Sequence, residues 1–133
     1  MMMKKTCIFL SFLLMVIFSV SCTAKSPENI IRMDGSRLEA ILNDETEREK
    51  YLVIDVREDY EYKAGHVPYA INISVQEIES RISEISDWKE KNVVVICRSG
   101  RRSRTAAEIL VKHGFKKIFD ADGVSKYNYK LEK

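Results

Sequence analysis

A cysteine followed by several arginines is the feature of this sequence best suited to chemistry. The stretch CRSGRRS, residues 97–103, follows the apolar run VVVI and is continued by Arg104. A thiol is a strong nucleophile only as the thiolate, and nearby cations or a helix N-terminus lower its pKa from about 8.5 to between about 3.5 and 7.5. A thiolate among fixed positive charges is suited to attack an anionic substrate. We therefore predict that Cys97 is a nucleophile.

The residues after Cys97 are also suited to binding an anion. Ser99 and Gly100 are small, so successive backbone N–H groups can converge on one point. A helix predicted to begin near Ser103 would add the positive end of its dipole. The predicted substrate-binding residues are Arg98, Ser99, Gly100, Arg101, Arg102 and Ser103. The alternative is that Cys97 is only a small apolar residue at the end of a buried strand and that the arginines are only solvated.

The elements that must position this loop alternate between strands and helices. The candidate strands are residues 29–33, 51–55, 70–74, 92–97 and 116–120. The fourth is apolar and β-branched almost throughout, which is typical of a parallel strand covered on both faces. We therefore predict an α/β fold with a mainly parallel central sheet and helices on both faces. In such folds the ligand site lies beyond the carboxyl ends of the strands, where Cys97 is placed.

Helical patterns fill the intervals between these strands. Ser74 and Glu77 have the spacing of a capping box before a helical face formed by isoleucines, and Gly114 is predicted to end the helix that follows the arginine-rich loop. Residues 57–65 are charged and helix-like, and residues 123–133 are predicted to form a short closing helix.

Two motifs in order resemble the rhodanese-type sulfurtransferases. The first is IDVREDYEYKAGHVPYAINIS, residues 54–74, and the second is CRSGRRS; the similarity extends over roughly residues 30–127. The resemblance implies that the Cys97 thiolate takes the outer sulfur of thiosulfate or a similar anionic donor as a persulfide and releases sulfite. An external thiol, a thioredoxin-like protein or cyanide would then accept that sulfur. Backbone amides of residues 98–103 would hold the persulfide, and arginines of the loop would attract the sulfonate. No metal or organic cofactor is implied.

Other positions of the family motifs are expected to support the loop. Asp55 and Arg57 fall on the Asp-Val-Arg positions, and we expect them to brace the strand ends through an ion pair or hydrogen bonds. His66 is expected to be a structural hydrogen bonder rather than a general base. The sequence departs from the family at Tyr69, where a glycine is usual, at Asp122, where the family has the first of two glycines, and at Tyr127, where tryptophan is common. These departures bear on substrate preference.

Three other functions compete with sulfur transfer. A phosphatase or arsenate reductase of the same fold needs an arginine five residues after its nucleophile, whereas Ser103 occupies that position here. A non-catalytic rhodanese-like binding module is the second alternative, although such modules usually lose the cysteine that this chain keeps. The third is a persulfide carrier that exchanges sulfur between proteins, which shares the same Cys97 intermediate.

The N-terminal residues predict export. A short basic start precedes a continuous apolar block at residues 7–18, and small residues then lead to Cys22. We predict a signal peptide at residues 1–21, a linker at residues 22–28 and a rhodanese-like domain at residues 29–133. The SVSC sequence resembles a bacterial lipoprotein cleavage box, which implies lipidation of Cys22 and a lipid anchor on the periplasmic face of a cell envelope. Ordinary cleavage after Ser21 or Ala24 is the alternative.

Composition limits the remaining possibilities. Without Lys4 and Lys5, which the predicted signal peptide removes, the 22 basic residues fall to 20 and match the 20 acidic ones. The mature protein is then close to neutral, which argues against a general nucleic-acid surface, and 133 residues are enough for one domain. If Cys22 is lipidated, Cys97 is the free thiol of the mature protein, so its persulfide would require an external acceptor. No set of residues has the spacing of a metal site.

Overall fold

A parallel five-stranded sheet forms the centre of the protein. The computed structural model describes residues 29–133, so the predicted signal peptide, the linker and Cys22 lie outside the described residues. The strands are β1 (Ile30–Met33), β2 (Tyr51–Asp55), β3 (Ile71–Asn72), β4 (Asn92–Ile96) and β5 (Lys117–Ala121), in the order β1-β5-β4-β2-β3. All neighbouring strands pair in parallel, which confirms the predicted sheet.

Helices cover both faces of this sheet. The α-helices are α1 (Gly35–Asn43), α2 (Glu45–Arg48), α3 (Asp59–Ala64) and α4 (Arg101–Lys112), and a 3₁₀ helix spans Glu79–Trp88. Side chains alternate across β4: Val93 and Val95 join the core under α4, whereas Val94 and Ile96 join the core under α1. Burial on both faces explains why this strand is apolar at successive positions. The predicted α/β architecture is therefore confirmed.

Two helical predictions differ from the structure. The isoleucine segment after Ser74 forms a 3₁₀ helix rather than an α-helix, and the Ser74 hydroxyl contacts the Glu77 side chain instead of a backbone amide. A reciprocal capping box occurs instead at the start of α3, between Glu58 and Glu61. Isoleucine is a weak α-helix former because its branched Cβ crowds the preceding turn, which helps to explain the first difference.

The predicted closing helix at residues 123–133 is wrong: the segment contains turns and irregular backbone. Two of its first amides bind the cysteine loop: the Val124 amide donates to the Cys97 carbonyl and the Ser125 amide to the Arg98 carbonyl, both at 3.0 Å. Tyr129 is buried and its hydroxyl donates to the Asp122 carbonyl at 2.7 Å. A helix over residues 123–133 would take the Glu132 amide away from the His66 carbonyl, to which it donates at 2.9 Å, because amides beyond the first helical turn donate four residues back.

No helix within residues 29–133 combines the length and the apolar character that crossing a membrane would require.

Candidate active site

The cysteine loop connects the central strand β4 to helix α4. Cys97 directly follows β4 and is 1% exposed, and α4 begins at Arg101, two residues earlier than the sequence indicates. Gly100 precedes the helix with φ of 103°, a left-handed conformation in which side chains with a Cβ are strained. This turn folds the chain back, so that the first amides of the helix face the sulfur.

Hydrogen-bond donors surround the Cys97 sulfur. The Gly100 amide donates to Sγ at 3.0 Å, and the Ser103 hydroxyl oxygen lies 3.5 Å from Sγ. Burial raises the pKa of the Cys97 thiol, but hydrogen bonds from the Ser103 hydroxyl and from the amides of Ser103, Gly100 and Ser99 outweigh burial and lower the pKa overall. The site therefore favours a thiolate.

The arginines have a smaller part in this environment than the sequence suggests. Arg102 forms a bidentate salt bridge with Glu61 of α3, at 2.6 and 3.0 Å, and Arg104 pairs with Glu108. The pKa of Arg102 is raised chiefly by Glu61 and only to a lesser extent by the Cys97 thiolate. Of the two effects expected to lower the pKa of Cys97, the amides around the start of α4 do so together with the Ser103 hydroxyl, whereas Arg102 and Arg104 are paired with carboxylates.

Arg98, which directly follows Cys97, is the loop arginine that lines an open cleft. Arg98 is exposed, and it borders an open cleft of about 370 Å³ together with residues of α3 and of the segment after β5. The lining residues are Arg57, Tyr60, Glu61, Ala64, Arg98, Val124 and Ser125. Arg101 is exposed and is not among them. Of the predicted binding arginines, the structure thus places Arg98 at the cleft.

Asp55 and Arg57 form a buried ion pair at the end of β2. The Arg57 side chain donates to both Asp55 carboxylate oxygens at 2.8–3.1 Å and to the Gly65 carbonyl at 2.7 Å. The side-chain amide of Asn72 in β3 donates hydrogen bonds to the backbone carbonyls of Asp55 and Arg57. These contacts join β2, β3 and α3, and they agree with a bracing role for the pair.

His66 and two of the three family departures, Tyr69 and Asp122, have contacts of their own. The His66 ring stacks on Tyr62 at 3.8 Å, and its Nδ1 lies 2.9 Å from the Tyr62 carbonyl oxygen. Tyr69 adopts a positive φ of 66°, so it keeps the left-handed backbone for which glycine is usual, and Arg48 stacks on its ring at 3.8 Å. Asp122 accepts a hydrogen bond from the Gly35 amide, at the start of α1.

Two residues near the loop are not evident from the sequence analysis. Glu61 holds Arg102, and Asp120 of β5 lies 2.6 Å from the Ser103 hydroxyl oxygen. Nothing in the sequence distinguishes Glu61 from the other charged residues of its helix. Asp120 does have a signal: an acidic residue at the carboxyl end of an apolar strand predicts a side chain near the ligand site.

Comparison with known proteins assigns the family. Residues 38–126 match the family model of the Rhodanese-like domain. This match covers well over half of the chain, so the chain belongs to the rhodanese-like family. A solved structure of a rhodanese with anions from E. coli is 35% identical, with a TM-score of 0.58, and the alignment covers 62% of this chain and 98% of that one. A rhodanese-like domain protein from Staphylococcus aureus shares the fold at 22% identity, with a TM-score of 0.63, over 77% of this chain and 96% of that one.

Curated relatives have several names. A Bacillus subtilis protein named as a sulfur carrier, YrkF, is 37% identical over 95 residues, which are 71% of this chain and 50% of the relative. A mitochondrial Schizosaccharomyces pombe protein named as a thiosulfate sulfurtransferase is 42% identical over 84 residues, 54% of this chain and 58% of the relative. A tRNA uridine(34) hydroxylase of Wigglesworthia glossinidia brevipalpis is 27% identical over 126 residues, 85% of this chain and 40% of the relative. The chain therefore spans about half the length of these relatives.

Proposed function

We propose that the protein is a sulfurtransferase in which Cys97 carries the transferred sulfur as a persulfide. The observation that carries the proposal is the environment of the Cys97 sulfur, which lies at the carboxyl end of the central strand and accepts a hydrogen bond from the Gly100 amide at 3.0 Å. Amides directed at a sulfur favour its thiolate and equally an anionic persulfide sulfur. The names of two relatives, a sulfur carrier and a thiosulfate sulfurtransferase, support the same chemistry.

The proposed cycle has two displacement steps. The Cys97 thiolate attacks the outer sulfur of thiosulfate, the S–S bond of thiosulfate breaks, and sulfite leaves with the electron pair. An external thiolate or cyanide then attacks the outer sulfur of the persulfide, and Cys97 leaves as a thiolate. Each step is a two-electron transfer between sulfur atoms, so no further oxidant or reductant is needed.

We propose that Arg98 attracts the sulfonate of the donor. Arg98 is exposed and borders the cleft of about 370 Å³, whereas Arg102 is held by Glu61. A guanidinium group matches the planar spacing of two oxygens on an oxyanion and cannot lose its charge.

Thiocyanate formation from thiosulfate and cyanide tests the proposal. We expect the full chain to form thiocyanate with ping-pong kinetics, and Cys97→Ser to abolish the reaction because no other group near the loop can form a persulfide. Ser99→Ala is the matched control, since the Ser99 side chain is exposed and its contribution to the thiol comes from the backbone amide. Equal activity of Cys97→Ser and the wild type would refute the proposal.

A persulfide carrier between proteins is the second candidate. The relative named as a sulfur carrier favours it, because its similarity covers 71% of this chain. A carrier would pass sulfur to a thioredoxin-like protein at least about tenfold faster than to glutathione at equal thiol concentration, whereas a small-molecule enzyme would show no such preference. A rhodanese-like binding module would form no persulfide, and a phosphatase would hydrolyse a phosphate ester at a rate comparable to sulfur transfer.

We also propose that the chain is exported and anchored by lipid at Cys22. The support is the basic, apolar and small-residue order of residues 1–22. Growth of expressing cells with an alkyne-labelled fatty acid should label the wild type and leave Cys22→Ala unlabelled. Absence of label on the wild type would contradict the anchor.

A further inference from the structure

A buried carboxyl group lies directly behind the cysteine loop. Asp120, near the end of β5, is 6% exposed, and its Oδ1 is 2.6 Å from the Ser103 hydroxyl oxygen. The Ser103 oxygen in turn lies 3.5 Å from Cys97 Sγ. Because β4 and β5 are parallel neighbours, their carboxyl ends meet at the same edge of the sheet. Cys97, Ser103 and Asp120 therefore form one continuous hydrogen-bonded chain.

The charged groups that act on Asp120 come from three parts of the structure. They are Arg32 on β1, Arg104 on α4 and Asp122 in the segment after β5. Arg32 pairs with Asp122 and Arg104 pairs with Glu108, so each arginine is shared with another carboxylate. Burial, with a smaller contribution from the Asp122 charge, raises the pKa of Asp120 and outweighs the lowering by its hydrogen bond and by the two arginines. Asp120 is thus a carboxyl group that takes up a proton more readily than an exposed one.

The number of protons shared by Cys97, Ser103 and Asp120 determines which of their hydrogen bonds can form. The Ser103 hydroxyl has one proton, and its oxygen has three neighbours: Cys97 Sγ at 3.5 Å, the Gly100 carbonyl at 3.1 Å and Asp120 at 2.6 Å. When Cys97 is a thiol, its S–H donates to Ser103 and the serine proton is free for Asp120. When Cys97 is a thiolate, sulfur, carbonyl and ionised carboxylate all need the same proton. One added proton on Asp120 removes that conflict.

Resting on the proposed function, we propose that Asp120 is a positioning residue that takes up the proton released by Cys97 and acts through Ser103. The S–H bond breaks and its electron pair stays on sulfur. That proton binds the Ser103 oxygen while the original serine proton passes to Asp120 Oδ1. The Ser103 hydroxyl can then donate to the thiolate and the neutral Asp120 carboxyl can donate to Ser103. The net charge of the site does not change.

The pH dependence of Cys97 alkylation tests this coupling. The rate for the full chain is measured with iodoacetamide from about pH 4 to about pH 10, by mass spectrometry of the tryptic peptide NVVVICR, residues 92–98. Two groups that share a proton titrate as a pair, so we expect a two-step profile for the wild type. Asp120→Asn should give a single step with its midpoint lower by about one pH unit, because the negative charge that competes for the serine proton is gone.

Repeating the Asp120→Asn change in a Ser103→Ala protein distinguishes proton transfer through Ser103 from a simple charge effect. In Ser103→Ala we expect a single step, and adding Asp120→Asn there should move the midpoint by less than about 0.3 pH units. Glu84→Gln is the control, since it removes the same charge from an exposed residue paired with Arg81; its profile should equal that of the wild type. Circular dichroism melting establishes that each variant is folded, and Ser103→Ala alone still tests the coupling if Asp120→Asn does not fold.

Three results would overturn the inference: a single-step profile for the wild type, an unchanged profile in folded Asp120→Asn, or an equal Asp120→Asn shift with and without Ser103. Alkylation needs no sulfur donor. If the wild type shows the two-step profile but forms no persulfide, the proposed function alone is refuted. If it forms a persulfide but shows a single-step profile, this inference alone is refuted.

Discussion

The arginines around Cys97 have unequal surroundings, although the sequence presents them as one cluster. Arg102 is fixed by Glu61 and Arg104 pairs with Glu108, whereas Arg98 borders the open cleft. The groups that lower the thiol pKa are amides and the Ser103 hydroxyl, whose positions are fixed by the first turn of α4. At the scale of residues, ionisation of the nucleophile and attraction of the donor are therefore assigned to different groups.

Replacement of Arg98 should weaken binding of an anionic donor. We expect Arg98→Ala to raise KM for thiosulfate by about tenfold, the loss of one charge-assisted contact of about 1.4 kcal/mol, with a smaller effect on kcat. Arg101→Ala is the matched control because Arg101 is exposed but does not line the cleft. Steady-state kinetics at fixed cyanide measures both. An equal rise in KM for the two variants would show a general charge effect instead of a contact at Arg98.

At the scale of elements, the cysteine loop is held from the side by the segment after β5. Gly123 lies against this loop: a Cβ at this position would overlap the Arg98 carbonyl and come within 2.8 Å of the Ser99 amide nitrogen. The two backbone hydrogen bonds from Val124 and Ser125 depend on this close approach. The need for glycine is therefore steric and follows from packing of backbone on backbone.

A methyl group at Gly123 should disturb both stability and the loop. We expect Gly123→Ala to lower the free energy of unfolding by about 2–3 kcal/mol, since overpacking of a rigid site costs roughly this much. Gly114→Ala is the control: Gly114 has φ of 89° and open space around it, so only backbone strain of about 1 kcal/mol is expected. Urea unfolding measures both. If Gly123→Ala lowers the free energy of unfolding no more than Gly114→Ala does, the close approach of Gly123 to the cysteine loop is contradicted.

Prediction from sequence worked best where a local pattern decides the structure. The β-branched run of β4 and the glycines at positions 100 and 114 predict a buried strand, a tight loop and a helix end. The contacts of Glu61 and Asp120 depend on which elements become neighbours, and no local pattern reports the partner of either side chain. The closing helix was predicted wrongly for the same reason, because the Glu132 amide donates to the carbonyl of His66, far earlier in the chain.

At the scale of the whole molecule, helices α3 and α4 are linked across the site by Glu61 and Arg102. The Arg102 hydrogen bonds lower the pKa of Glu61 from 4.5 to about 2. A carboxyl group whose pKa is lower in the folded protein stabilises it fully above its unfolded pKa, and this stabilisation is lost as pH falls from 4.5 toward 2.

Acid unfolding tests this link. At neutral pH we expect Glu61→Gln to reduce the free energy of unfolding by about 2–3 kcal/mol, and the difference from the wild type should vanish near about pH 2. Glu108→Gln is the control, since its salt bridge with Arg104 is exposed and should contribute less than about 1 kcal/mol. Thermal unfolding at several pH values gives the comparison. A difference that persists unchanged to low pH would mean that Glu61 acts by packing.

The central claim, that Cys97 carries sulfur, is tested most directly by intact mass spectrometry. The full chain and Cys97→Ser are incubated with thiosulfate and weighed before and after addition of cyanide. We predict a gain of one sulfur, about 32 Da, in the wild type only, which cyanide removes. A wild-type mass that does not change, or an equal gain in Cys97→Ser, would contradict the account.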